Sequence, residues 1–227
     1  VEGMFDALLD ISRLDAGIVT PRVERFPLDP LLARIAEQHA AAAERYGLSL
    51  SHVPTSVWIE SDRAMLERIL SNLVSNAVRY TERGGVLIGC RRMAGAIRIE
   101  VIDTGPGIPA EKREDVFREF VQLAEAQVSR EKGLGLGLAI VQRLCRLLGH
   151  ELRLHSEVGR GTRFGVVVPR ATPDPAVAAA DEAARIERSL RNRLVLVIDD
   201  DSTIREALVA LLDRFGASAL APKRSSR

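Results

Sequence analysis

Gly133-Leu134-Gly135-Leu136-Gly137-Leu138-Ala139-Ile140 is the stretch whose reading decides the fold. Three glycines alternate with leucines, and a helical pattern (Val141, Leu144, Leu147, Leu148) then runs to Gly149. A glycine has no Cβ, so its backbone can approach an anion closely and adopt conformations closed to other residues. Where a helix begins, free N–H groups and the helix dipole make a site for phosphate. Alone such glycines also mark turns or close packing. Three segments upstream give them meaning.

The first is Ser71-Asn72-Leu73-Val74-Ser75-Asn76-Ala77-Val78-Arg79-Tyr80-Thr81. Leu66, Ile69, Leu70, Leu73, Val74 and Ala77 fall at helical spacing, and Asn72 and Asn76, four apart, share a face. Two mid-helix asparagines cost propensity on an otherwise well-built helix, which favours a use for their amides over a solvated face. The second is Ile97-Arg98-Ile99-Glu100-Val101-Ile102-Asp103-Thr104-Gly105-Pro106-Gly107, an alternating strand that ends in an acid and a Gly-Pro-Gly turn. A plain turn explains the glycines but not the aspartate, which could read an exocyclic amine. The third is Val116-Phe117-Arg118-Glu119-Phe120, followed by a polar stretch from Gln122 to Lys132 with the character of a mobile cover.

In this order the four segments resemble the N, G1, F and G2 boxes of the sensor histidine kinases, over roughly residues 57 to 169. The resemblance implies an α+β fold of the GHKL (Bergerat) type: a two-layer sandwich of a mixed sheet with helices on one face, holding ATP under a flexible lid. It implies Asn76 as the Mg²⁺ ligand with Asn72 beside it, Arg79 on phosphate, and Tyr80 on the adenine side. Asp103 would accept from the adenine amino group, with Gly105 and Gly107 turning the chain beneath the base. Lys132, Gly133, Leu134, Gly135, Leu136 and Gly137 would clasp the phosphates. Gly159-Arg160-Gly161-Thr162-Arg163-Phe164 resembles the closing turn and strand, from which Thr162 would reach towards the adenine.

Residues 1–20 open with Phe5-Asp6-Ala7-Leu8-Leu9-Asp10-Ile11-Ser12-Arg13-Leu14-Asp15-Ala16-Gly17, a helical pattern with a glycine C-cap. It resembles the end of the second helix of the kinases' dimerisation hairpin, which implies that the phosphorylated histidine lies upstream of residue 1 and that autophosphorylation is not expected of these residues alone. His150-Glu151-Leu152-Arg153 copies the opening of the phosphoacceptor box. It follows the glycine helix on a stretch alternating Leu152 and Leu154, so His150 is expected to start a strand. His39, His52 and His155 are expected at the surface.

Residues 21–169 form the expected catalytic domain. A strand is expected at Val23 to Phe26, a helix from Asp29 to Tyr46 with Asp29 as N-cap and Pro30 in the first turn, and a strand at Leu48 to Val53. Trp58 is expected in the core, and Arg91 and Arg92 at a solvated strand end after Val86 to Cys90. Residues 170–192 read as an Ala/Pro-rich linker. From residue 193, Leu194-Val195-Leu196-Val197-Ile198-Asp199-Asp200-Asp201 is a buried-strand run ending in acids, and a helical pattern follows to Gly216. This resembles the start of a response-regulator receiver domain with Asp199 and Asp200 as its acidic pair; one strand and one helix over 193–227 are too few to close that core.

The 227 residues are 46% hydrophobic and 28% charged with a formal net charge of +1, a balance that calls for no nucleic-acid partner. No apolar run approaches the ~18 residues of a membrane span, and Cys90 and Cys145, without metal or CxxC spacing, read as buried thiols; a cytoplasmic setting is expected. The implied partners are ATP, the histidine-bearing hairpin, a receiver domain and, at full length, a second protomer. Three rivals remain. A hydrolase of the same fold would want a carboxylate where Asn72 stands, because an amide is a poor general base. A serine kinase of this fold fits neither the hairpin-like start nor the receiver-like end. A nucleotide-free dimerisation module leaves Asn76, Asp103 and the glycines without a use.

Overall fold

The computed structural model describes residues 9, 11–12, 14–121, 134–173, 193–197, 202–214 and 217–220. Lys132, Gly133, Asp199, Asp200, all of the cover stretch from Gln122 and most of the linker lie outside the described residues. The chain divides into two compact units, 1–173 and 174–227.

The first unit is built on a seven-stranded sheet. In chain order its elements are β1 (Glu24–Pro27), α1 (Asp29–Arg45), β2 (Ser49–His52), β3 (Trp58–Ser61), α2 (Arg63–Tyr80), β4 (Gly85–Met93), β5 (Ala96–Asp103), α3 (Gly137–Leu148), β6 (Glu151–Glu157) and β7 (Gly161–Ala171). The strands run β1-β3-β7-β5-β4-β2, with β6 and β3 sharing one edge of β7 end to end. Only β2 and β4 pair in parallel, so the sheet is mixed, as expected.

Period-two alternation puts Ile97, Ile99 and Val101 of β5 and Phe164, Val166 and Val168 of β7 on one face. The apolar stripes of the helices cover that face: Leu32 and Ile35 of α1, Leu66, Ile69, Leu70, Leu73 and Val74 of α2, and Ile140, Val141 and Leu144 of α3. Trp58 is buried as expected. The start of α2 is fixed by Asp62, whose Oδ1 accepts from the amide of Met65 (2.9 Å) and Oδ2 from that of Arg22 (2.7 Å). α3 ends at Gly149 in the left-handed conformation (φ 67°).

Several local expectations are corrected. Asp29 is the first residue of α1 and not its cap; its carboxylate accepts instead from the amide of Thr55, across the β2–β3 connection. His39 is half-buried, its Nε2 2.9 Å from Ser71 Oγ, because α1 lies against α2 there. Cys90 is only half-buried, whereas Cys145 is buried and its thiol is pushed up to about 12. β4 continues through Arg91 and Arg92, and Arg91 pairs with Glu100.

His150 starts β6 as expected, and it is buried, its Nε2 2.8 Å from Ser61 Oγ. A side chain so enclosed cannot take up a phosphoryl group. Burial pushes its pKa down to about 4, so between pH 6.5 and 4 the unfolded chain binds a proton that the folded chain does not. Stability therefore falls as pH drops through that window, by at most about 3 kcal/mol from this group. Urea midpoints at pH 7 and pH 5 should differ less in His150→Gln than in wild type. Equal differences would overturn the assignment.

The second unit contains β8 (Leu194–Leu196), α4 (Ser202–Arg214) and β9 (Ser218–Leu220). One strand and one helix were expected; β9 pairs in parallel with β8, giving a β-α-β unit. Leu194, Leu196, Ile204 and Leu211 remain exposed, as a single such unit requires, having too few strands to cover them.

Candidate functional site

Three parts of the first unit converge: the α2 face bearing the asparagines, the glycine turn opening α3, and the ends of β5 and β7. Asn72, Asn76 and Arg79 lie at i, i+4 and i+7 of α2 and share its face. Gly137 is the first residue of α3, where a Cβ would lie 3.0 Å from Asn72 Oδ1 and 3.7 Å from Asn76 Nδ2. An added Cβ would crowd the Asn72 amide oxygen and meet Asn76 in ordinary contact. Leu136, the N-cap residue of α3, makes no side-chain cap bond, so among the described residues no such cap competes with an anion for the first N–H groups. The Asn72 amide donates to the carbonyl of Arg68 (2.8 Å), which fixes its Oδ1 towards Gly137. The Asn76 amide and the Arg79 guanidinium have no hydrogen bond or ion pair among the described residues.

Gly135 takes a positive φ of 69°, and the atoms a Cβ would meet at 2.9–3.0 Å are the backbone of Phe120 and Val121. The amide of Phe120 donates to the carbonyl of Gly135 (3.1 Å), which ties the aromatic segment to the glycine turn. That segment packs on the sheet through Phe117, edge-on to Phe164 at 6.3 Å. Leu134 is exposed and Leu136 buried, so the alternation holds the turn down on one side only.

At the other end, β5 delivers Asp103 opposite Thr162 of β7. Both hydrogen bonds to its carboxylate reach Oδ1, from the amides of Gly105 (2.9 Å) and Thr162 (3.1 Å). Oδ2 has no partner among the described residues. Burial raises the carboxyl above its ordinary value and the two amides pull the other way. Gly105 is buried beside the carbonyl of Tyr80, so the end of α2 and the β5 turn meet there.

Sequence reasoning missed Ser156. Its hydroxyl lies 2.9 Å from that of Thr162 and accepts from the amide of Ile108 (2.7 Å), pinning the turn after Asp103. Thr162 thus spends its amide on Asp103 and its hydroxyl on Ser156. A signal was present: Leu152, Leu154 and Ser156 are successive inward positions of β6, and a serine there wants a partner. It also missed the ion pairs of Arg143 with Asp15 and Glu119.

Among the described residues no helix is long and apolar enough to cross a membrane, and no cluster of three or more His, Cys, Asp or Glu is placed to hold a metal.

Residues 61–172 match the family described as histidine kinase-, DNA gyrase B- and HSP90-like ATPase. The sensor histidine kinase AtsR of Burkholderia thailandensis is 35% identical over 198 residues, covering 85% of this chain and 32% of AtsR. The autoinducer 2 sensor kinase/phosphatase LuxQ of Vibrio cholerae is 31% identical over 223 residues, 92% of this chain and 26% of LuxQ. Among solved structures, full-length ShkA in complex with AMPPNP superposes with a TM-score of 0.66 at 30% identity, over 96% of this chain and 44% of ShkA. The chain thus spans about a third or less of these two curated relatives. The chain belongs to that ATPase family, and within it to the sensor histidine kinases.

Proposed function

We propose that this chain is the catalytic part of a hybrid sensor histidine kinase that passes the γ-phosphoryl group of ATP to a histidine of the dimerisation hairpin. The observation that carries the reading is the meeting of the Asn72 and Asn76 amides with the uncapped N-terminus of α3 at Gly137. In it, Asp103 Oδ2 accepts from the adenine amino group, Tyr80 borders the base, and Gly105, Gly107 and Thr162 shape the turn that holds Asp103. The amides opening α3 and the Arg79 guanidinium offset phosphate charge. Lys132, Gly133, Leu134, Gly135 and Leu136 complete the phosphate clasp.

The donor set fits magnesium: a hard ion that keeps several waters and phosphate oxygens needs few protein ligands, and the Asn76 amide oxygen is uncommitted among the described residues. When bound, the ion supplies neutralisation of charge on the phosphates. The residues of this chain hold the phosphates in line with an incoming imidazole nitrogen, so that a P–N bond forms as the bond to ADP breaks. With an amide at Asn72 and no carboxylate, water at that position is not activated, which favours transfer over hydrolysis.

The same reading makes the helix ending at Asp15 the end of the hairpin, and the second unit the start of a receiver whose acidic pair is Asp199 and Asp200. A response regulator is then the downstream partner, the full-length kinase a homodimer, and the setting cytoplasmic. Calorimetric titration of the chain with a non-hydrolysable ATP analogue, with and without Mg²⁺, tests the site. Magnesium-dependent binding that Asn76→Asp removes is expected; no binding by a folded chain would leave dimerisation as the function to pursue.

A further inference from the structure

Arg143 lies two turns into α3, away from the nucleotide face, and joins three elements. Its Nε and Nη2 donate to both carboxylate oxygens of Asp15, at 2.7 and 3.2 Å, in a bidentate pair with the helix that ends there. Its Nη2 also donates to Glu119 Oε1 at 2.5 Å. The guanidinium holds the Asp15 carboxyl below the ordinary carboxylate range. The same helix is seated by Ile11, which is buried, and by Leu14, which packs against the core.

Glu119 precedes Phe120, the one non-glycine residue with positive φ (62°) among the described residues. A non-glycine residue in the left-handed region costs about 1 kcal/mol or more and persists where its surroundings hold it. What holds Phe120 is the hydrogen bond from its amide to Gly135 and the salt bridge from its neighbour to Arg143. Gly135 in turn sits in contact with the Phe120 backbone and is two residues from Gly137, where the asparagines meet α3. An unbroken run of contacts therefore leads from Asp15 through Arg143, Glu119 and Phe120 to the glycine turn.

We infer that Arg143 is a positioning residue that couples the helix ending at Asp15 to the nucleotide site, setting the glycine turn through Glu119 and Phe120. Arg143 touches no phosphate in this arrangement; it acts by holding the turn that does. The proposal rests on the glycine turn being the ATP site. Binding free energies are reciprocal, so an Asp15 contact that favours ATP is itself strengthened by ATP by the same factor. A signal that lifts or turns the helix would then reach the nucleotide without a contact to it. A bidentate pair is suited to this, because its two parallel bonds fix direction as well as distance.

The experiment is a double-mutant cycle on the full chain, with the dissociation constant for a non-hydrolysable ATP analogue measured for Asp15→Asn, Arg143→Gln and the double variant, and thermal midpoints checked in each. Arg143→Gln is expected to weaken binding fivefold or more and Asp15→Asn about threefold, with the double variant no weaker than Arg143→Gln alone. Saturating nucleotide should also slow amide exchange over residues 14–17 in wild type but not in Arg143→Gln, a change that a merely stabilising ion pair would not give. Affinity within twofold of wild type in Arg143→Gln, or effects that simply multiply in the double variant, would overturn the coupling. Failure of folded wild type to bind the analogue would overturn the ATP reading on which it rests.

Discussion

Asp103→Asn is expected to weaken ATP binding about a hundredfold, close to 2.7 kcal/mol, with little change in the thermal midpoint. The reason lies in how the carboxylate is held. The amides of Gly105 and Thr162 both donate to Oδ1, so an asparagine must turn its carbonyl oxygen to them. Its NH₂ then stands where Oδ2 stood, and a donor faces the adenine amino group, also a donor. Two buried donors left unpaired are what a site built around a hydrogen bond rejects most strongly. The change also inverts preference: a 6-oxo purine presents an acceptor there, so inosine triphosphate should lose far less affinity than ATP. Calorimetry with both nucleotides decides it, and an ATP affinity within threefold of wild type would remove Asp103 from the adenine site. Asp103→Ala is the poorer test, because it strands two backbone amides at about 1–3 kcal/mol each and confounds binding with folding.

The parts of this structure that were legible in the sequence are those that local chemistry dictates. Alternation in Ile97 to Asp103 announced β5, the helical stripe from Leu66 to Ala77 announced α2, and Gly149 announced the end of α3. Asn72 and Asn76 could be placed on one face by spacing alone. What spacing could not supply is what that face meets, and the convergence on Gly137 needed the fold. Residues that act across long separations were invisible for the same reason. Arg143 reaches 128 positions back to Asp15, and Ser156 reaches 48 back to Ile108; neither has a local signature beyond being a charged or small polar residue. Asp29 shows the converse. Asp followed by Pro is a sound helix-start signal, but a backbone amide brought near by the β2–β3 connection took its carboxylate. His39 follows suit, since an alanine-rich helix gives no notice of which side another helix will cover.

Gly161→Ala is expected to cost about 4 kcal/mol or more of folding stability, a large effect for a single methyl group. Gly161 opens β7 at φ 100°, and an added Cβ would lie 2.0 Å from the carbonyl oxygen of Asp103, 2.9 Å from its carbonyl carbon and 3.0 Å from Thr104 Cα. Those are backbone atoms of the neighbouring strand end, which cannot step aside as a flexible side chain can. Relief requires β7 to move away from β5 at the pair Asp103–Thr162, the point where the Thr162 amide holds the Asp103 carboxylate. Gly159 is the control, because it has a positive φ of 79° but nothing within 4 Å of an added Cβ. Gly159→Ala carries only the conformational cost, about 1 kcal/mol. Urea unfolding of the two variants separates the clash from the backbone preference, and equal losses in both would refute the close approach of β5 and β7. Should Gly161→Ala fold at low temperature, its ATP affinity should fall along with that of Asp103→Asn, because the same displacement takes one of the two amides from the Asp103 carboxylate.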